Sequence, residues 1–225
     1  MINFLQTENL PIADQLHIEE ALLKTNDGNW CFVNIGSPLS IVLGSSNKKE
    51  EFIDLEKTKV PMIKRFSGGG TVVVDENTIF VSFIFSKKRL NFSFPEEIFR
   101  WTESFYKKIF PDSFSLTEND YTIENKKCGG NAQYIKKERW LHHTSFLWDF
   151  EKRNMELLKF PKKTPSYRNG RAHEDFVCTI KEHFDSKGHF ASLVKNNLKE
   201  LFQIKNVSIE EAIYLKITRP TRSHV

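Results

Sequence analysis

An α+β fold, a mostly antiparallel sheet flanked by helices, is what this sequence predicts, and two patterns predict it. Short runs rich in β-branched and aromatic residues recur between Gly, Pro, Asn and Asp, as strands joined by tight turns do. Helical periodicities fall in separate blocks instead of alternating with those runs, which argues against a parallel βαβ sheet. In chain order, "IADQLHIEEALLKT" sets Ala13, Leu16, Glu20 and Leu23 at helical spacing, a first helix with an imperfect apolar stripe. "WCFVNI", "LSIVLG", "VPMIKRF", "TVVVD" and "TIFVSFIF" follow and read as a meander of strands. Ser93 and Glu96 form an S-x-x-E capping box with Pro95 in the first turn, which predicts a helix burying Ile98, Trp101, Phe105 and Ile109. "YTIEN", "NAQYIK" and the alternating "RWLHHTSFLWDF" return to strand. Two more helices are expected, at 172–184 burying Phe176, Ile180 and Phe184, and at 191–202 burying Val194, Leu198, Leu201 and Phe202.

The chain has 225 residues, which fits one fairly large domain or two small ones and is enough to bury a proper core. Its 20 phenylalanines are expected to fill that core. The net charge of +4 is too mild to argue for nucleic acid, and aromatics do not interleave with the lysines as a single-strand platform requires. An acidic protein or an anionic small molecule suits it better. No run approaches the length of a membrane span, and "MINFLQTENLPIADQ" lacks the basic start of a signal peptide. Cys31, Cys128 and Cys178 are odd in number and widely spaced, so neither a disulfide framework nor a zinc site is expected. A reducing cytoplasm is the expected location.

Two glycine sites could carry chemistry. In "KRFSGGGTVVVDE", three glycines allow backbone N–H groups to approach a phosphate closely, and Arg65 could add a forked charge. The stretch is neither a Walker A loop nor a G-x-G-x-x-G turn, and a glycine-rich β-turn beside a solvated arginine is the alternative. In "ENKKCGGNAQYIKKERWLHHTSFLW" a lysine pair precedes two glycines, which reads either as an anion-binding turn or as a charged hairpin tip. Adjacent His142 and His143 on a strand face opposite sides of the sheet, so they cannot share a metal; one is expected to line a pocket. Two basic glycine turns together suit a bent ligand that carries a nucleotide.

These residues resemble a known family. "IKRFSGGGTVVVDENTIFVSF" is similar to the R-R-x-S-G-G-G-x-V-x-x-D signature of the lipoate–protein ligase A family. "TENDYTIENKKCGGNAQ" resembles its N-D segment and K-x-x-G-x-A loop, "LHHTSFLWDF" its H-H-G-T-L-L strand, and "PIADQLHIEEALL" its N-terminal helix. "PSYRNGRAHEDFV" looks like the arginine-bearing stretch that follows. The resemblance implies the catalytic fold shared with biotin ligases and class II aminoacyl-tRNA synthetases. It implies activation of lipoate by ATP, with Mg2+, to lipoyl-adenylate, then transfer to a lysine of a lipoyl carrier domain. Expected acceptors are the lipoyl domains of 2-oxoacid dehydrogenase complexes or the glycine cleavage H protein.

Carried over by position, the resemblance implies that Arg65, Gly70, Thr71, Val72, Val73, Asn119 and Asp120 bind the nucleotide or adenylate. It places Gly68, Gly69 and His143 along the acyl group. Lys127 matches the key lysine, expected to contact both the substrate carboxylate and the α-phosphate and to act catalytically. The sequence departs from the pattern in three places: Ser45 stands where the family often has arginine, Lys64 replaces the first arginine of the pair, and Thr144 replaces glycine in H-H-G-T. Residues 1–225 are read as one catalytic domain without the C-terminal accessory domain of longer ligases. The rival within the same fold is an ATP-independent octanoyl or lipoyl transferase working through a cysteine thioester, with Cys128 or Cys178 as its nucleophile. A biotin ligase is disfavoured because its G-R-G-R-x-G-R turn is missing.

Overall fold

The computed structural model describes residues 1–25, 27–53, 58–160 and 164–217. Strand β1 (Ile2–Glu8) leads into helix α1 (Ile12–Thr25), followed by β2 (Trp30–Ile35), β3 (Ser40–Leu43), the single turn α2 (Lys49–Phe52), β4 (Met62–Lys64), β5 (Val72–Val74) and β6 (Thr78–Ser86). Helix α3 (Pro95–Tyr106) precedes β7 (Phe114–Thr117), β8 (Asp120–Ile123), β9 (Lys126–Ile135) and β10 (Arg139–Leu147). The chain closes with short α4 (Lys152–Met155) and α5 (His173–Phe176), helix α6 (Lys187–Leu201), β11 (Ile204–Val207) and α7 (Ile209–Ile217).

Eight strands form one sheet in the order β11-β1-β2-β6-β10-β9-β8-β7, and β4-β3-β5 form a smaller one. In the large sheet β1 pairs in parallel with both β11 and β2, while every pairing from β2 to β7 is antiparallel. The fold is therefore α+β with a mostly antiparallel sheet, as expected, although the strands do not run as a simple meander. Helices α3 and α6 cover one face over a core of Phe83, Phe85, Phe105, Tyr106, Phe146 and Phe190. Helices α1 and α7 cover the other, where Ile18, Leu22 and Ala212 pack on Leu5, Phe32 and Leu141. The phenylalanines thus serve as core, several in edge-to-face pairs such as Phe83 with Phe105 at 5.2 Å.

Several local expectations are corrected. The α1 stripe is Ile12, Gln15, Leu16, Ile18, Glu19, Leu22 and Leu23, so two polar residues hold core positions while Ala13 and Glu20 sit at the edge. The carboxylate that caps α3 is Glu97, which accepts from the backbone N–H groups of Ser93 (2.7 Å) and Phe94 (2.9 Å); Glu96 does not. Trp101 is only partly buried, and Ile109 lies beyond the helix end. The expected helix at 172–184 is broken: only His173–Phe176 and a 3₁₀ turn at Lys181–His183 are helical. Between them the chain is pulled straight, Cys178 N–H donating to Lys127 O (2.8 Å) and Ile180 N–H to Leu147 O (2.8 Å), so tertiary hydrogen bonds override the local periodicity. Helix α6 begins four residues before its expected start, because the Ser186 hydroxyl caps it by accepting from His189 N–H, and it leaves Leu201 exposed.

The second glycine site is not a turn. The β8–β9 hairpin turns at Glu124 and Asn125, both at positive φ (49° and 63°), and Gly129 and Gly130 lie inside β9. A Cβ on Gly129 would meet the Phe146 ring at 2.9 Å, so glycine there permits close packing.

Candidate active site

A cavity of about 230 Å³ opens between α1, the small sheet and the cavity-side face of β6, β9 and β10. Ile12, Leu16, Val42, Val72, Val74 and Phe80 pack together as the apolar part of its lining. Arg65, Thr71, Asn119, Asp120 and Lys127 supply the polar part, with Gly69 and Gly70. Such a lining receives a ligand with a hydrocarbon tail and an anionic head.

Lys127 reaches this cavity because the sheet is irregular. Tyr121 pairs with Gly129 but Thr122 pairs with Lys127, leaving Cys128 as the inserted residue of a β-bulge. Strict alternation would put Lys127 on the same side as Gly129, against the aromatic core. The bulge reverses that parity: Cys128 is buried in the core and Lys127 lines the cavity. Gly130 keeps the space clear, since a Cβ there would lie 3.3 Å from Lys127 Nζ. The lysine is held by Asp120, with Nζ 2.8 Å from Oδ1, and Asp120 Oδ2 accepts from the Tyr167 hydroxyl at 2.8 Å. Burial and the Asp120 charge push the Tyr167 phenol well above its usual range, so it stays a donor.

The loop of three glycines forms the opposite wall. Gly69 adopts φ +105°, open to glycine and costly for other residues. Arg65 does not reach out as a free fork: Nε and Nη2 donate to Gly68 O (3.2 and 2.9 Å) and Nη2 to Gly70 O (2.7 Å), so it shapes the loop from within. It is buried, and burial lowers its pKa to about 10, which leaves it charged at neutral pH. No acidic side chain among the described residues pairs with it, so it contributes uncompensated positive potential to the cavity. From outside, Asn47 Nδ2 donates to Gly69 O (3.1 Å) and Thr71 Oγ1 (3.1 Å). Gly44 packs so closely that a Cβ would come within 2.1 Å of Gly69 O.

Beside the apolar part, His143 Nδ1 lies 2.9 and 3.1 Å from the two carboxylate oxygens of Glu19. Ser82 Oγ (2.6 Å) and Gln15 Nε2 (2.8 Å) also donate to that carboxylate. Burial alone would raise Glu19, but the His143 interaction and these hydrogen bonds outweigh it and hold it below the usual carboxylate range. The neighbouring His142 points into the other face. Its Nδ1 accepts from Gln133 Nε2 (3.0 Å); Tyr121 and Thr144 both spend their protons elsewhere, so Nε2–H is the donor towards their hydroxyls. Burial, aided by His143, lowers His142 to about 3, so it is a neutral structural relay. Through Thr144 the relay reaches Asn131, whose amide donates to Asn119 O (3.0 Å).

Of the residues expected at the site, Arg65, Gly69, Gly70, Thr71, Val72, Asn119, Asp120, Lys127 and His143 line one cavity. Gly68 and Val73 do not: Val73 turns into a cluster with Ile41, Leu43 and Ile53. None of the three cysteines lines it either.

Residues 11–203 match the family model of the lipoyl protein ligase A/B catalytic domain. The chain belongs to that family. It is 28% identical over 231 aligned positions to the inactive lipoate–protein ligase 2 of Plasmodium falciparum, covering 83% of this chain and 59% of that protein. The chain spans about three fifths or less of the length of the curated relatives it matches. In structure it resembles the bi-partite lipoate protein ligase of Thermoplasma acidophilum, solved in a study that includes its E2 lipoyl domain. That match has a TM-score of 0.77 and 20% identity over 95% of this chain and 89% of that one. A lipoate-protein ligase A bound with ATP gives 0.75 and 19% over 96% and 91%. At these identities the structural likenesses establish the fold.

Within this ligase domain, sequence reasoning missed Glu19 and Tyr167 as parts of the site and gave Asn47 and Asn131 no role there. Glu19 had a readable signal, since it sits seven residues after Ile12 on the buried stripe of α1, where a carboxylate needs a partner. Tyr167 had none, because only the fold brings it to Asp120. Among the described residues no helix is long and apolar enough to cross a membrane.

Proposed function

We propose that the chain is an ATP-dependent lipoate–protein ligase that forms lipoyl-adenylate and passes the lipoyl group to a lysine of a lipoyl domain. The observation that carries this reading is the mixed lining of one cavity, an apolar cluster together with Lys127 and the glycine loop. Lipoate lies with its ring towards Phe80 and His143 and its carboxylate at Lys127. A carboxylate oxygen attacks the α-phosphorus of ATP, the bond to the pyrophosphate breaks, and negative charge builds where Lys127 and the loop N–H groups converge. The acceptor amine then attacks the acyl carbon, AMP leaves, and the amine proton is lost to solvent. The binding of ATP and of lipoate by structural relatives supports this reading. The study of a ligase with its E2 lipoyl domain supports the partner.

Asp120 begins the sequence paired with Lys127; once substrate oxygens take the lysine, it is free to face the phosphate side. Among the described residues no group of three or more His, Cys, Asp or Glu could hold a metal ion. Magnesium would therefore arrive on the triphosphate, with Asp120 the carboxylate nearest to hand, as suits an ion held mostly by phosphate and water. The cysteine-thioester route finds no thiol in the cavity lining.

The test is to incubate the protein with lipoate, ATP and magnesium and to measure lipoyl-adenylate and pyrophosphate. Stoichiometric release of both is expected. A protein that makes neither, yet moves an acyl group from an acylated carrier, is a transferase. One that does neither is a silent member of the family, like the relative named inactive.

A further inference from the structure

Cys128 and Cys178 are far apart in sequence and neighbours in space. Val177 bridges to Lys127 in parallel, and Cys178 N–H donates to Lys127 O, so Cys178 falls beside Cys128. The two follow the bridged pair in register, and both side chains pack against the same aromatic core. Their other contacts are backbone carbonyls: Cys128 Sγ to Tyr121 O (3.4 Å), Cys178 Sγ to Lys126 O (3.4 Å). Cys128 is fully buried and Cys178 half-buried. Neither thiol is used by the ligase chemistry above.

We propose that Cys178 and Cys128 form an oxidisable dithiol, which hydrogen peroxide converts into an intramolecular disulfide beside Lys127. The half-exposed sulfur is the one an oxidant meets first. The neighbouring Cys128 thiol and the Lys126 charge also favour its thiolate, whereas burial pushes Cys128 well up and makes it the resolving partner. The Cys178 thiolate attacks a peroxide oxygen, the O–O bond breaks, and water leaves with one proton taken up, giving a sulfenic acid. Cys128 sulfur then attacks the Cys178 sulfur; the S–O bond breaks, and the Cys128 proton departs with the hydroxyl as a second water. Two thiols are oxidised and one peroxide reduced.

The consequence reaches the site through the bulge. Cys128 is the inserted residue that turns Lys127 towards the cavity, so drawing its sulfur to Cys178 re-aims the lysine. This part rests on the role given to Lys127 above.

Hydrogen peroxide treatment of the whole chain, followed by non-reducing peptide mass mapping, decides the matter. A Cys128–Cys178 cross-linked peptide two hydrogens lighter is expected, reversed by dithiothreitol, with Cys31 untouched. Cys178→Ser should give no cross-link, and Cys128→Ser should stop at a sulfenic acid trapped by dimedone. Adenylate assays on the same samples, cleared of peroxide, should show a loss on the order of tenfold in the oxidised wild type, restored by reduction and absent in Cys178→Ser. A wild type in which Cys178 oxidises without the cross-link overturns the dithiol. A cross-link that leaves adenylate yield unchanged overturns its link to Lys127. Should the reduced protein make no adenylate at all, the ligase reading fails, and the peptide map still decides the dithiol.

Discussion

In the proposed ligase reaction Lys127 faces the heaviest chemical demand, because a free carboxylate and a triphosphate repel each other and must be brought to bonding distance. A single mobile ammonium beside an apolar lining lowers that repulsion as charge develops. Lys127→Ala should therefore cut adenylate formation by about 10² or more with little change in thermal midpoint. Steady-state pyrophosphate release and a melting curve check both halves; near-native turnover would contradict the role. The lysine itself was legible in the sequence, and its orientation was not. Alternation along β9 predicts the wrong face, and only the bulge at Cys128 corrects it. Arg65 was legible as a residue of the site but not in its manner of acting, since its donors are turned onto the loop's own carbonyls.

At the scale of elements, the glycine loop is held from two sides, by Arg65 within and by the 44–47 turn outside. Gly44→Ala tests the outer support, because its new methyl would overlap the Gly69 carbonyl, a backbone atom that cannot rotate away. The loop must shift, and the Michaelis constant for ATP should rise by about tenfold while the fold persists. An unchanged constant would mean that the loop position does not govern nucleotide binding. Elements with strong local signals, such as β6, α3 and β10, were readable from their patterns. Strands β1, β7 and β11 were missed, and each lies towards an end of the large sheet, where sequence-distant neighbours decide pairing. The straight segment at Val177 and Cys178 escaped detection for the same reason.

For the whole molecule, a buried neutral histidine links stability to pH. His142 has an ordinary value of 6.5 when unfolded and about 3 in the folded protein. The unfolded chain thus takes up a proton that the folded one refuses, and stability is lost as pH falls from 6.5 towards 3. The loss should be on the order of 3 kcal/mol between about pH 6.5 and 4. Glu19, depressed in the fold, adds a loss in the same sense at lower pH. Urea midpoints across this range should slope clearly in the wild type and flatten in His142→Gln; parallel slopes would contradict the assignment.

Charge at the same scale bears on the partner. A net charge of +4 should draw an acidic lipoyl domain, so added salt should raise the Michaelis constant for that domain more than it lowers turnover. A rate indifferent to ionic strength would remove electrostatic docking from the account.

The central claim, that this cavity activates a carboxylate with ATP for transfer to a protein amine, is tested most directly by one mass measurement. An apo lipoyl domain is incubated with the protein, lipoate and magnesium, with and without ATP. A gain of one lipoyl group on a single lysine, only where ATP is present, is the predicted result. A domain left unmodified with ATP, or modified equally without it, would contradict the account.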